Sequence, residues 1–92
     1  MDNKMNISTL SEKILRFIHI YRHKYVPITE IQAEFKLLNC DNEIIDAINY
    51  LATNDYIYIV KTSGVAVESI STLDENVFLH ITPSGIKMNY AF

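Results

Sequence analysis

The hydrophobic spacing of this chain changes at Asn54-Asp55, and that change constrains the fold more than any other feature. Before it, apolar residues recur every three or four positions, the repeat of helices that bury one side. After it comes Tyr56-Ile57-Tyr58-Ile59-Val60, a β-branched and aromatic run with the composition of a strand. The 92 residues suffice for one core and not two. No repeat, low-complexity stretch or linker interrupts them, so residues 1–92 read as a single α+β domain.

The first helix is expected from Asn6 to Arg22, with Ile7, Leu10, Ile14, Phe17, Ile18 and Tyr21 on one stripe. Thr9 and Glu12 have capping-box spacing, and Ser8 competes as the cap. Leu15 and Ile20 flank the stripe and widen it beyond what one small core requires. Tyr25 to Ile28 read as a short extended stretch, because Pro27 disfavours helix at the residue before it. Thr29, spaced from Gln32 as in a capping box, opens a second helix whose buried side is Ile31, Ala33, Phe35 and Leu38. A third helix follows, capped by Asp41, with Ile44, Ala47, Ile48 and Leu51 on its core face. Two short helices joined tightly form a helix-turn-helix pattern.

Beyond the first strand, Ser63-Gly64 marks a turn, Val65 to Ile70 a return strand, and Leu73 to Asn76 another turn. Val77-Phe78-Leu79-His80-Ile81 is the third strand expected. Thr82-Pro83 starts a closing helix, with threonine as cap and proline at the first helical position, where its missing N–H is harmless.

This order resembles the winged helix-turn-helix superfamily, and three passages carry the likeness. Pro27 to Phe35 looks like that family's second helix. Ile44 to Ile57 resembles its third helix and exit. Leu79-His80-Ile81-Thr82-Pro83-Ser84-Gly85 is similar to the L-T-x-x-G passage of MarR- and PadR-like regulators. The resemblance implies a helix, a short strand, a helix-turn-helix, a two- or three-stranded antiparallel wing and a C-terminal helix. It further implies duplex DNA binding, with the third helix in the major groove and the wing on the backbone or minor groove. Asp55 departs from the family's usual glycine, and the wing from Thr62 to Val77 is longer than a minimal one.

Charge opposes the implied DNA reading. At roughly 100 degrees per residue, the third helix exposes Asn42, Glu43, Asp46, Asn49, Tyr50 and Thr53. Asn42, Asn49 and Thr53 suit base edges, yet the helix has no Lys or Arg. From Asn39 to Val77, Asp41, Glu43, Asp46, Asp55, Glu68, Asp74 and Glu75 face Lys61 alone. Phosphate neutralisation dominates non-specific DNA affinity, and this half has the wrong sign for it. The six-residue surface is therefore read as a protein-partner surface, with a solvated acidic face as the plainer alternative. A basic face formed by Lys13, Arg16, Arg22, Lys24 and Lys61 keeps DNA binding open as the second reading.

No catalytic, cofactor or metal site is expected. His19 and His23 share a helical face, but no carboxylate joins them at a motif spacing. Cys40 reads as a buried structural thiol, and Glu30 with Glu34 as a solvated edge. One cysteine excludes an internal disulfide and suits a reducing cytoplasm. No apolar stretch approaches the ~18 residues of a membrane span, and Met1 to Asn6 lack the apolar region of a secretory signal. Leu15, Ile20, Met88, Tyr90 and Phe92 offer more apolar surface than a monomer needs, so a homodimer is expected. The sequence points to a non-enzymatic regulatory or adaptor module.

Overall fold

A computed structural model describes residues 8–73 and 76–91. Met1 to Ile7, Asp74, Glu75 and Phe92, to which the sequence assigns roles above, lie outside the described residues. The protein is α+β. Its elements are α1 (Thr9–Ile20), β1 (Val26–Pro27), α2 (Ile28–Phe35), α3 (Asp41–Thr53), β2 (Ile57–Lys61), β3 (Ala66–Val67), β4 (Val77–Ile81) and α4 (Pro83–Tyr90). The four strands form one antiparallel sheet in the order β1-β4-β2-β3. Val26 lies opposite Leu79, and Ile59 pairs with both Leu79 and Val67.

Ser8 caps α1, its hydroxyl accepting the Ser11 N–H at 3.1 Å, so the competing cap prevails over Thr9. The helix ends at Ile20, where Tyr21 leaves helical geometry. Ile14, Leu15 and Ile18 are fully buried. Leu15 is thus a core residue and not a dimer contact. Because α1 packs on α3, α4 and β4, its buried arc is wider than a single stripe.

The buried side of α2 also differs from the expectation. The helix begins at Ile28, with Pro27 rather than Thr29 at the cap position, and buries Ile28 and Ile31 while Phe35 is half-buried. Ala33 is exposed, since two residues of helix turn it away from Ile31. Leu38 falls beyond the helix end and is also exposed.

Cys40, not Asp41, occupies the cap position of α3, and its N–H donates to the Glu43 carboxylate at 2.9 Å. Asp41 and Glu43 in the first turn also complement the helix dipole. At the other end, the Tyr56 N–H bonds the Leu51 carbonyl and the Asp55 N–H bonds the Ala52 carbonyl. This is a Schellman termination with Asp55 in the left-handed position at φ 65°. Glycine meets that geometry without a side-chain penalty. Asp55→Gly is therefore expected to stabilise the fold by about 0.5–1 kcal/mol, read as a higher denaturation midpoint. An unchanged midpoint would mean that the turn holds no strain.

Alternation along β2 and β4 sends Ile57, Ile59, Val77, Leu79 and Ile81 into the core. Tyr58, Val60, Phe78 and His80 point to the opposite face. The expected return strand from Val65 to Ile70 contracts to Ala66–Val67. Beyond it the chain leaves the sheet, and Ile70 and Leu73 turn inward to join the core.

The α4 start matches the expectation. Pro83 is its first residue and the Thr82 hydroxyl accepts the Gly85 N–H at 2.9 Å. That hydroxyl also donates to the Asp55 carbonyl, 2.6 Å away, while the Thr82 N–H donates to the Tyr56 carbonyl. One buried threonine thereby fastens α4 to the corner between α3 and β2.

Candidate functional site

The six residues expected on the third-helix surface divide into two groups. Asn42, Glu43, Asp46 and Thr53 are exposed, whereas Asn49 and Tyr50 are half-buried. Asn49 is committed within the fold. Its amide nitrogen donates to the Ile70 carbonyl and its amide oxygen accepts the Ile70 N–H, both at 2.9 Å. An amide used twice in this way has little left for a base edge, so Asn49 belongs to the fold and not to a reading surface. Tyr50 packs against the core beside the helix.

Between the start of α1 and the outer side of α3 runs an open groove of about 490 Å³. Leu10, Ala47 and Tyr50 contribute apolar lining, Glu43 and Asp46 carboxylates, and Ser8, Ser11 and Asn39 neutral polar groups. The serines are bonded to each other, at 2.9 Å, and the Asn39 amide donates to the Phe35 carbonyl. No lysine or arginine is among these lining residues.

The connection that feeds α3 is the second feature. Leu37 and Leu38 are 88% and 87% exposed, adjacent leucines left in water just ahead of the acidic first turn of α3. Sequence reasoning placed Leu38 inside and gave Leu37 no role. The available signal was the end of the buried repeat at Phe35, since a leucine beyond a helix end has no face to follow.

Of the five residues expected on a basic face, Lys13 and Arg16 share a depression that none of the other three lines. Lys13 and Arg16 border a depression with Phe17, Ile20, Glu34 and Phe35, and Arg16 pairs with Glu12 at 3.0 Å. Lys61 lines a different depression with Tyr25, Val60, Thr62, Gly64 and Phe78. Lys24, next to Tyr25 in the chain, lies 3.6 Å from Glu30 and over the Tyr21 ring. Arg22 donates to the His19 carbonyl. The rings of Tyr25 and His80 are 4.6 Å apart, and Tyr58 pairs with His80 across β2 and β4.

Of the residues expected at a dimer contact, Ile20 and Tyr90 are 66% and 74% exposed, and Met88 is half-buried against the core. The His19 ring meets Tyr90 edge-on, and its Nδ1 lies 3.1 Å from the Asn89 amide nitrogen. Burial, and secondarily the Arg22 guanidinium, hold the His19 pKa below its ordinary value. His23 is exposed. Among the described residues, no group of three or more His, Cys, Asp or Glu side chains could hold a metal ion. Cys40 is exposed rather than buried, because the cap position of α3 faces outward. Glu30 and Glu34 are exposed. No described helix is long and apolar enough to cross a membrane.

No protein-family model, no curated protein and no solved structure matches this chain.

Proposed function

We propose that this protein is a non-enzymatic winged-helix module, a cytoplasmic regulatory or adaptor unit that acts by contact with another protein through α3 and the turn before it. The winged-helix reading is supported by the order of elements, by β1 pairing with β4 next to β2, and by the short added strand β3. The observation that carries the functional reading is the adjacent exposure of Leu37 and Leu38. Burying a leucine contributes about 1.5–3 kcal/mol, and here two neighbouring side chains leave that gain available to a partner. Paired exposed leucines have no use against phosphates, and the acidic start of α3 repels them.

Duplex DNA binding by a dimeric regulator remains the second reading. It is favoured by the placing of Lys61 and Tyr25 on one depression, with Lys24 and Arg22 close in the chain. A homodimer built on Ile20 and Tyr90 suits either reading, and a concentration series reports it.

The test is a titration with random-sequence duplex DNA. At about 50 mM salt, where non-specific phosphate contacts are strong, no binding is expected. Micromolar binding that falls steeply with salt, and disappears in Arg22→Glu/Lys61→Glu, would replace the protein-contact reading with the second one.

A further inference from the structure

We infer that the groove between the start of α1 and α3 receives a cationic amphipathic helix from a protein partner. This inference rests on the protein-contact reading above and names the chemistry of the segment bound.

Charge selects the sign. Glu43 and Asp46 stand three residues apart on α3, a spacing that places both on one side of the helix. Both are exposed, and no basic side chain is among the described lining residues. Among the described residues Asp46 has no hydrogen-bonding or charged partner. Glu43 accepts one backbone N–H, that of Cys40. A lysine or arginine brought to this rim meets two carboxylates with no basic neighbour among the described lining residues, whereas a phosphate is repelled.

The lining selects an apolar stripe beside that charge. Leu10, Ala47 and Tyr50 supply apolar surface, while the polar groups next to them are already engaged: Ser8 with Ser11, and Asn39 with the Phe35 carbonyl. Few directional groups remain to recognise a polar ligand, so recognition falls to apolar contact at the centre and charge at the edge, the usual division of a protein interface.

The walls select a helix over an extended segment. One side of the groove is the first turn of α1 and the other is the outer face of α3, so neither side offers a strand edge. An extended peptide would lack the strand edge that normally pairs its N–H and C=O groups. A helix brings its backbone already paired and needs only side-chain contact.

The experiment uses a designed helical peptide of about fourteen residues, with leucine on one face and lysine on the other. A control peptide has the same composition, scrambled so that no apolar face forms. Binding is followed by peptide fluorescence and by amide chemical shifts of the full chain. The amphipathic peptide is expected to shift Leu10, Ala47 and Tyr50, and the scrambled one to leave them unmoved. Asp46→Lys, at an exposed position, is expected to weaken binding about tenfold or more with the free protein's spectrum preserved away from the substitution. Equal binding of both peptides, or an unaltered affinity in Asp46→Lys, would overturn the groove assignment. Shifts confined to Leu37 and Leu38 would also overturn it while leaving the protein-contact reading in place. Absence of peptide binding overturns it as well, and salt-sensitive DNA binding in the same preparation removes the parent reading too.

Discussion

Replacing Gly85 with alanine is expected to destabilise the protein by about 3 kcal/mol or more, a large share of the stability of a domain this size. Gly85 is buried in the first turn of α4. A methyl group on its Cα would run into the Tyr56 carbonyl oxygen and lie 2.7 Å from the Ile81 Cγ1. The carbonyl cannot retreat freely, because it accepts the Thr82 N–H at 3.0 Å. Relief requires α4 to lift from the start of β2, which pulls on the Thr82 hydroxyl and its bonds to Gly85 and Asp55. Alanine's better helix propensity, about 1 kcal/mol, does not offset an overlap with backbone. Thermal unfolding should fall by roughly 12–24 °C, at about 4–8 °C per kcal/mol for a domain of this length. Ser84→Ala on the exposed side of the same turn serves as the control. A midpoint for Gly85→Ala within a few degrees of wild type would mean that α4 is not held against this corner.

The second large effect is expected at Asn49. Asn49→Ala removes two hydrogen bonds of 2.9 Å that join α3 to the Ile70 backbone. At about 1 kcal/mol per bond, with both Ile70 backbone groups left to find water, the loss should be about 2 kcal/mol. It should also be uneven. Protection of the Ile70 amide from hydrogen exchange should collapse further than that of Ile59 or Leu79 in the sheet. Asn49→Asp separates the two halves of the contact, because the carboxylate still accepts the Ile70 N–H but confronts the Ile70 carbonyl. A wild-type midpoint for Asn49→Ala would show that the clamp contributes nothing, and would return Asn49 to the outer surface of α3.

These two residues show what was readable in advance. The Thr82-Pro83 start of α4 was legible because capping is local chemistry, complete within four residues of chain. The change of period at Asn54-Asp55 likewise placed β2, since a strand run of Tyr and Ile has few other uses. Asn49 was not legible as a clamp. Its partner lies far along the chain in a segment without regular structure, and no local pattern distinguishes an asparagine facing solvent from one facing a loop. Leu15 failed for a related reason. A helical projection assumes one packed side, whereas α1 is covered from several directions by α3, α4 and β4. Ala33 was misplaced because two residues of helix turn it away from Ile31, and Leu38 because α2 stops at Phe35 and leaves it no helical face to follow. At the candidate site, the acidic character of α3 was plain from the sequence. The groove beside it required knowing that Leu10 on α1 and Tyr50 on α3 line one depression.

The strand order described above has a consequence for what the molecule avoids. Ile57–Lys61 and Val77–Ile81 are short, rich in β-branched and aromatic residues, and carry little charge, the composition of segments that stack into cross-β aggregates. Both lie inside the sheet, and its two rims are β1 and β3, each only two residues long. Pro27 on one rim has no N–H to offer, and beyond Val67 on the other the chain turns away from the sheet. The sticky strands are thus shielded by rims too short to template another chain. This matters for a protein whose proposed role requires apolar side chains at its surface: the exposed leucines sit on a turn, where sheet growth cannot begin.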